Sequence, residues 1–145
     1  MKKPAGHRSD YRWFLPLATR WADNDIYGHI NNVNHYAYFD TVANQYLIDA
    51  GGFDPAISPA IGYVVESGCR YHAAIRHPEP LEGALRVSHL GTSSVTYEMA
   101  IFGSGETAAA EGFFTHVFVD RVTERPTPIP ATIRDALSRL LTSRP

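Results

Sequence analysis

Cysteine is almost absent from this 145-residue chain: Cys69 stands alone, so neither an internal disulfide nor a cysteine-rich zinc site can form. Long apolar runs are missing as well, none approaching the ~18 residues that an ordinary membrane-spanning helix needs. Positive charge is not in excess, with 13 Lys+Arg against 15 Asp+Glu and a net charge of -2. No basic stripe compensates for that balance, so no nucleic-acid partner is expected. Repeats, low-complexity tracts and interdomain linkers do not occur. Met1-Lys2-Lys3-Pro4 is basic but leads into no apolar stretch, which argues against a secretory signal and for a cytoplasmic location. What remains is 44% apolar, 12% aromatic and 19% charged, the composition of one folded domain rather than of a disordered chain.

The periodicity of the chain changes along its length. Residues 1–10 are polar and read as a loose tail. Residues 11–23, with Trp13, Phe14, Leu15 and Leu17, read as a first strand, and Pro16 assigns it to a sheet edge or a bulge because proline donates no ladder hydrogen bond. Between 34 and 50 the period becomes helical: Tyr36, Phe39, Ala43, Tyr46, Leu47 and Ala50 share one face, with Asp40, Asn44 and Asp49 mostly off it. Asn32 or Asn34 is suited to cap that helix, and Gly51-Gly52 to stop it. Period two follows, over residues 61–74, around Leu85 and Val87, and from Val95 to Ile101, with glycine turns at 91–93 and 103–105. Residues 108–120 carry apolar side chains on both faces (Phe113, Val117 and Val119 against Phe114 and Phe118), the pattern of a central strand covered on both sides. Pro126, Pro128 and Pro130 end the sheet, and Ile133, Leu137, Leu140 and Leu141 make a short amphipathic tail helix. The expectation is an α+β domain over residues 11–130 with a helical extension over 131–145. One long helix cannot cover both faces of five strands, so a further layer or a second subunit is required.

The chemistry concentrates at residues 21–36, between the first strand and the long helix. A loop there can hold a carboxylate beside a helix N-terminus, whose unpaired N–H groups carry partial positive charge and can bind an anion or a developing oxyanion. A single carboxylate and a helix end suffice for thioester hydrolysis. That reaction needs a base or nucleophile and stabilisation of the carbonyl oxygen. A thiol of pKa ~8.5 then leaves without an acid to protonate it.

The run Asp23-Asn24-Asp25-Ile26-Tyr27-Gly28-His29-Ile30-Asn31-Asn32, with Tyr36 and Phe39 beyond it, resembles the D-x-D-x-x-G-H-x-N-N signature of hotdog-fold acyl-CoA thioesterases, the 4-hydroxybenzoyl-CoA thioesterase family. The order of elements agrees, and Val117 to Asp120 followed by Arg125-Pro126 is similar to the family's closing strand. The resemblance implies a sheet of about five antiparallel strands wrapped around one long helix, a homodimer or homotetramer, an acyl-CoA substrate and no cofactor. It implies that Asp25 is the catalytic carboxylate, as nucleophile or general base, and that the backbone N–H of Asn32 polarises the thioester carbonyl. Gly28 would sit at a tight turn where a side chain obstructs the substrate. His35 occupies a position where the family often has an aromatic residue, which points to a helix beginning one residue late.

Other readings of the same residues compete. Asp25 alone can cap a turn, and Asp23 reads as a structural loop aspartate. His29 either holds the loop or meets substrate; Asn31 organises backbone N–H groups; Tyr36 is core or lines an acyl channel. Glu66 is the rival carboxylate, positioned on a strand to orient substrate or water. Arg70 and Arg76, with His77, form a basic group suited to coenzyme A phosphates. The seven histidines lack the spacing of a helical zinc pair, so no metal is expected. Two alternatives to hydrolysis remain: hydration or dehydration of an acyl thioester by His29 or His35, and a non-catalytic acyl-binding module.

Overall fold

The computed structural model describes residues 3–142, so Met1, Lys2 and the last three residues of the expected helical extension lie outside it. Strand β1 (Trp13–Leu17) leads through a 3-10 turn (Trp21–Asp23) to the helix α1 (Asn32–Gly51). Strands β2 (Ala60–Tyr71), β3 (Leu81–Leu90), β4 (Ser94–Phe102) and β5 (Ala110–Asp120) follow, then the short helix α2 (Ala131–Ser138). All pairings are antiparallel, in the order β1-β3-β4-β5-β2. A long helix cradled by five antiparallel strands is the hotdog arrangement expected above. No helix among the described residues is long and apolar enough to cross a membrane.

The helix forms where a cap, a stripe and a stop coincide. Asn31, not Asn32 or Asn34, is the cap: its side-chain oxygen accepts the Val33 N–H at 3.2 Å. The helix therefore starts at Asn32 and not a residue late. Gly52, with φ of 68°, supplies the left-handed stop, its N–H returning to the Leu47 carbonyl. The buried stripe runs through His35, Tyr38, Phe39, Val42, Ala43, Tyr46 and Leu47, so Tyr36 and Ala50 flank it rather than define it. Phe39, Val42 and Leu47 are essentially sealed from solvent, each contributing about 1.5–3 kcal/mol of burial. Two strand glycines let the helix lie this close. A side chain at Gly83 would collide with Val42, and one at Gly112 with Phe39.

The sheet departs from expectation in three places. First, β1 stops at Leu17 because the chain must turn into the loop that Arg20 and Asp23 fasten; Pro16 is on an edge strand, as expected. Second, β2 ends at Tyr71 rather than running to 74, because the Ala109 carbonyl takes the N–H of both His72 and Ala73 and breaks the ladder. Third, β4 is the middle strand. β5 is interior but its outer face is covered only in part: Phe114, His116 and Phe118 are buried on the inner face, while on the outer face Val119 is buried and Phe113, Thr115 and Val117 are half-exposed. His116 and Tyr97 lie edge to face at 4.9 Å, and neither imidazole nitrogen nor the phenol oxygen finds a partner among the described residues. Burial pushes His116 down to about 4, so its ring is neutral.

The segment expected to be a loose tail is fastened across the outer face. Gly6 N–H donates to Glu111 at 2.8 Å. Arg8 bridges Glu82 at 2.6 Å and the Gly103 carbonyl at 2.7 Å, and lies over the Phe102 ring. Tyr11 joins Ala84, Ala100, Phe102 and Ala108 in a small outer cluster. At the other end, α2 packs its buried Ile133, Ala136 and Leu137 against the C-terminal half of α1, where the Tyr46 hydroxyl donates to the Ala136 carbonyl. Leu141 remains 45% exposed, outside that packing.

Candidate active site

The loop between β1 and α1 is built around Asp23, which is only 2% exposed. Its carboxylate accepts the Tyr38 hydroxyl at 2.6 Å and the Arg20 backbone N–H and guanidinium at 3.0 Å each. Its carbonyl accepts Asn31 N–H and the Asn34 amide. Burial by itself raises a carboxyl pKa, but these donors more than offset it and hold Asp23 below its ordinary value. Asn24 then ties the loop to the β2–β3 connection, exchanging two hydrogen bonds with the His77 main chain.

Asp25 is held differently. Its N–H donates to the His29 carbonyl at 2.7 Å, and its carbonyl receives Gly28 N–H, closing a tight turn. One carboxylate oxygen, Oδ1, accepts Tyr27 N–H at 2.8 Å and His29 N–H at 3.3 Å. The other, Oδ2, has no partner among the described residues. Gly28 has φ of 78°, and a Cβ added there would meet nothing within 4 Å among the described residues other than its two neighbours in the chain. The left-handed backbone conformation by itself favours glycine at this position.

Asp25 and Asn32 both line a groove of about 430 Å³, together with His29, Ile30, His35, Tyr71, His72 and Ala73 to Ile75. Asn32 is the first residue of α1, so its N–H has no acceptor within the helix. The groove's far wall is fixed by Ile30 N–H donating to the Ile75 carbonyl at 2.7 Å. His35 is buried at the groove floor, edge to face with Tyr71 at 4.9 Å. Its burial depresses its pKa despite the carbonyls of Asn31 and Asn32, leaving it neutral. Arg76 Nη2 lies 3.4 Å from His29 Nε2, at the groove's edge.

The remaining expected residues are dispersed. Asn31 caps the helix. Tyr36 stacks on Phe114 and meets Phe39 edge on, and does not line the groove. Glu66 is exposed at a bulge in β2, opposite Thr115, and lines neither this groove nor the outer cleft. Arg70, Arg76 and His77 do not form one group. Arg70 lines a separate cleft of about 330 Å³ on the outer face, with Tyr11, His72, Arg86 and Glu111. His77 is engaged by Thr19 at 2.7 Å. Sequence reasoning missed Tyr71 and His72, which reach the groove only because β2 pairs with β5. Their one local signal is a tyrosine and a histidine followed by the small pair Ala73-Ala74, which leaves space beside them. Among the described residues no three His, Cys, Asp or Glu side chains converge on a metal-sized site.

A family model described as the thioesterase-like superfamily matches residues 19–137. The PA5185 protein of Pseudomonas aeruginosa strain PAO1, known from a crystal structure, is 50% identical, with a TM-score of 0.94 over 96% of this chain and 98% of that one. A thioesterase of Thermus thermophilus, crystallised with coenzyme A and zinc, shares the fold at 24% identity and a TM-score of 0.74, covering 88% of this chain and 98% of its own. The uncharacterised protein YsmA of Bacillus subtilis (strain 168) is 25% identical over 112 residues, 77% of this chain and 73% of that protein.

Proposed function

The chain belongs to the thioesterase-like superfamily, and on that premise we propose that it hydrolyses acyl-CoA thioesters to a carboxylic acid and coenzyme A. The observation that carries this reading is the Asp25 carboxylate, pinned through Oδ1 with Oδ2 unpartnered among the described residues, in the same groove as Asn32, whose N–H has no acceptor within the helix. A thioester lying in that gap has a nucleophile or base on one side of its carbonyl and a positive helix end on the other. His29 and Arg76 at the groove's edge, and Ile30, Ala74 and Ile75 on its wall, supply a polar mouth and an apolar lining for an acyl group. The coenzyme A bound by the Thermus fold neighbour supports the thiol half of the substrate. The 4-hydroxybenzoyl-CoA branch is the subfamily that the loop motif favours.

A homo-oligomer belongs to the same reading. Edge strand β2 leaves Tyr63, Val64 and Val65 between 40% and 59% exposed in a single chain, an apolar row suited to burial against a second copy. The test is thiol release across short, medium, long and aromatic acyl-CoAs by the wild-type protein and by Asp25→Asn. Release by the wild type alone is the expected result. An unimpaired Asp25→Asn variant refutes the assigned role of Asp25. Hydration of an enoyl thioester without thiol release transfers the groove to hydratase chemistry, with His29 or His35 as the base. Ligand-induced stabilisation with neither reaction leaves an acyl-binding module.

A further inference from the structure

His72 is the one histidine that lines both the Asp25 groove and the outer cleft. It follows the last residue of β2, where the shared Ala109 carbonyl bends the chain out of the ladder. Its ring is held by Glu111 of β5, with Nε2 3.2 Å from Oε1, and the two side chains are 12% and 20% exposed. Glu111 is itself fixed by Gly6 N–H at 2.8 Å and by the Tyr11 hydroxyl at 2.5 Å, both of which donate to it. Glu111 is an acceptor in every one of these contacts, so the hydrogen between it and His72 resides on Nε2. That tautomer leaves the imidazole lone pair on Nδ1, which has no partner among the described residues. A carboxylate that orients a histidine and sets its tautomer, beside a cavity that already holds a second carboxylate, is the arrangement of a general base.

Resting on the hydrolase reading above, we infer that His72 is a second catalytic residue of this groove, taking the proton of the water that completes hydrolysis after Asp25 has acted as the nucleophile. The unpartnered Asp25 Oδ2 bonds to the thioester carbonyl carbon, and the C–S bond breaks with its electron pair leaving on sulfur as thiolate. An acyl–aspartyl anhydride remains. A water oxygen then bonds to the acyl carbon as one water proton passes to His72 Nδ1. The acyl–Asp25 C–O bond breaks, its electron pair restoring the Asp25 carboxylate. The imidazolium returns its proton to the thiolate or to solvent, so thioester and water become carboxylic acid and thiol. Glu111 is a positioning residue in this scheme, and Asn32 N–H serves the carbonyl oxygen in both steps.

Rapid mixing of acyl-CoA with wild type, His72→Gln and His72→Ala, following free thiol, tests the assignment. Both variants are expected to release a burst of about one thiol per site and then turn over about 100-fold more slowly than wild type, the scale of a lost general base. Acylated Asp25 should be trapped in them by hydroxylamine and located by mass spectrometry. Added imidazole should restore part of the slow phase in His72→Ala, and Glu111→Gln should slow that phase less. A purely structural histidine would produce neither burst nor rescue. His72→Gln turning over within a few-fold of wild type overturns the inference, as does slow turnover with no burst. Should His72→Ala not fold, the near-isosteric His72→Gln decides. If the wild type hydrolyses thioesters and Asp25→Asn does not, a failure of the His72 variants to respond removes His72 alone; a wild type that releases no thiol removes both readings.

Discussion

Asp23 and Asp25 are two residues apart in one loop and have opposite fates. Asp23 is buried, and both its oxygens are engaged by Tyr38 and Arg20. Asp25 is half-buried, uses one oxygen to close its own turn, and leaves the other unpartnered beside a groove. Under the function proposed above, the contrast accounts for two carboxylates in the motif. A carboxylate that builds a loop must commit its lone pairs to fixed donors, and one that reacts must keep a lone pair free. Burial would make a free oxygen costly at Asp23, whereas Asp25 lines an open groove where water can satisfy its oxygen. The division of labour is therefore set by which residue faces the helix: the buried anchor fixes the Asn31 cap and so fixes where Asn32 N–H lies relative to Asp25.

The sharpest way to break the comparison is to substitute each aspartate in turn. Asp25→Asn keeps the shape and an acceptor at Oδ1, so its thermal midpoint should stay near that of wild type while thiol release falls by about 100-fold or more. Asp23→Asn should do the reverse. It leaves buried donors facing an amide and costs about 2–4 kcal/mol in denaturant unfolding, with activity lost only as far as the loop is displaced. If Asp23→Asn abolishes activity at unchanged stability, the assigned roles are interchanged.

Acid should separate the same pair. Asp23 has a folded pKa below its ordinary 3.8, so its stabilisation is present above that value and lost as the pH falls through the lower folded one. Wild type and Asp23→Asn should accordingly differ most in denaturant midpoint near neutrality and converge below about pH 4. Tyr38→Phe removes one donor to Asp23 and should cost about 2 kcal/mol, because the hydrogen bond is to a charged group. That loss should largely vanish in the Asp23→Asn background. Additive losses would mean that the Tyr38 hydroxyl acts independently of the carboxylate.

How much of this was legible in the sequence follows from the range of the interactions. The tight turn at Gly28 and the stop at Gly52 are local, encoded within a few residues, and could be read, whereas the helix start was read late, at 34 rather than 32. The switch from helical to alternating period likewise exposed the order of elements. His72 could not be read as a groove residue, because its Glu111 partner is 39 positions away and meets it only through the β2–β5 pairing. The anchoring of residues 6–11 was invisible for the same reason: a polar segment looks loose until Glu82, Glu111 and the Gly103 carbonyl are placed beneath it. Asn31 was displaced as cap by its equally suitable neighbours Asn32 and Asn34. The three differ only in which one the Asp23 carbonyl draws in through its backbone N–H. The middle position of β4 was hidden by the Phe113 and Phe114 pair in β5, whose outer member is apolar yet only half-covered in one chain.

The smallest expected effect tests the Asp25 side of the comparison without touching a carboxylate. Gly28 adopts φ of 78° with open space around it. Gly28→Ala therefore meets no clash among the described residues, and the cost is the left-handed conformation, about 1 kcal/mol. Any relaxation of that strain shifts the Tyr27 and His29 N–H groups that hold Oδ1, and so loosens Asp25 while the Asp23 anchor is undisturbed. The expected outcome is a stability loss of about 1 kcal/mol with kcat reduced several-fold. Gly28→Asn should fall between wild type and Ala, because asparagine tolerates the left-handed region better. Equal kcat in all three would mean that the turn merely connects β1 to α1. A kcat that tracks the left-handed preference of residue 28 would mean that the turn aims the carboxylate.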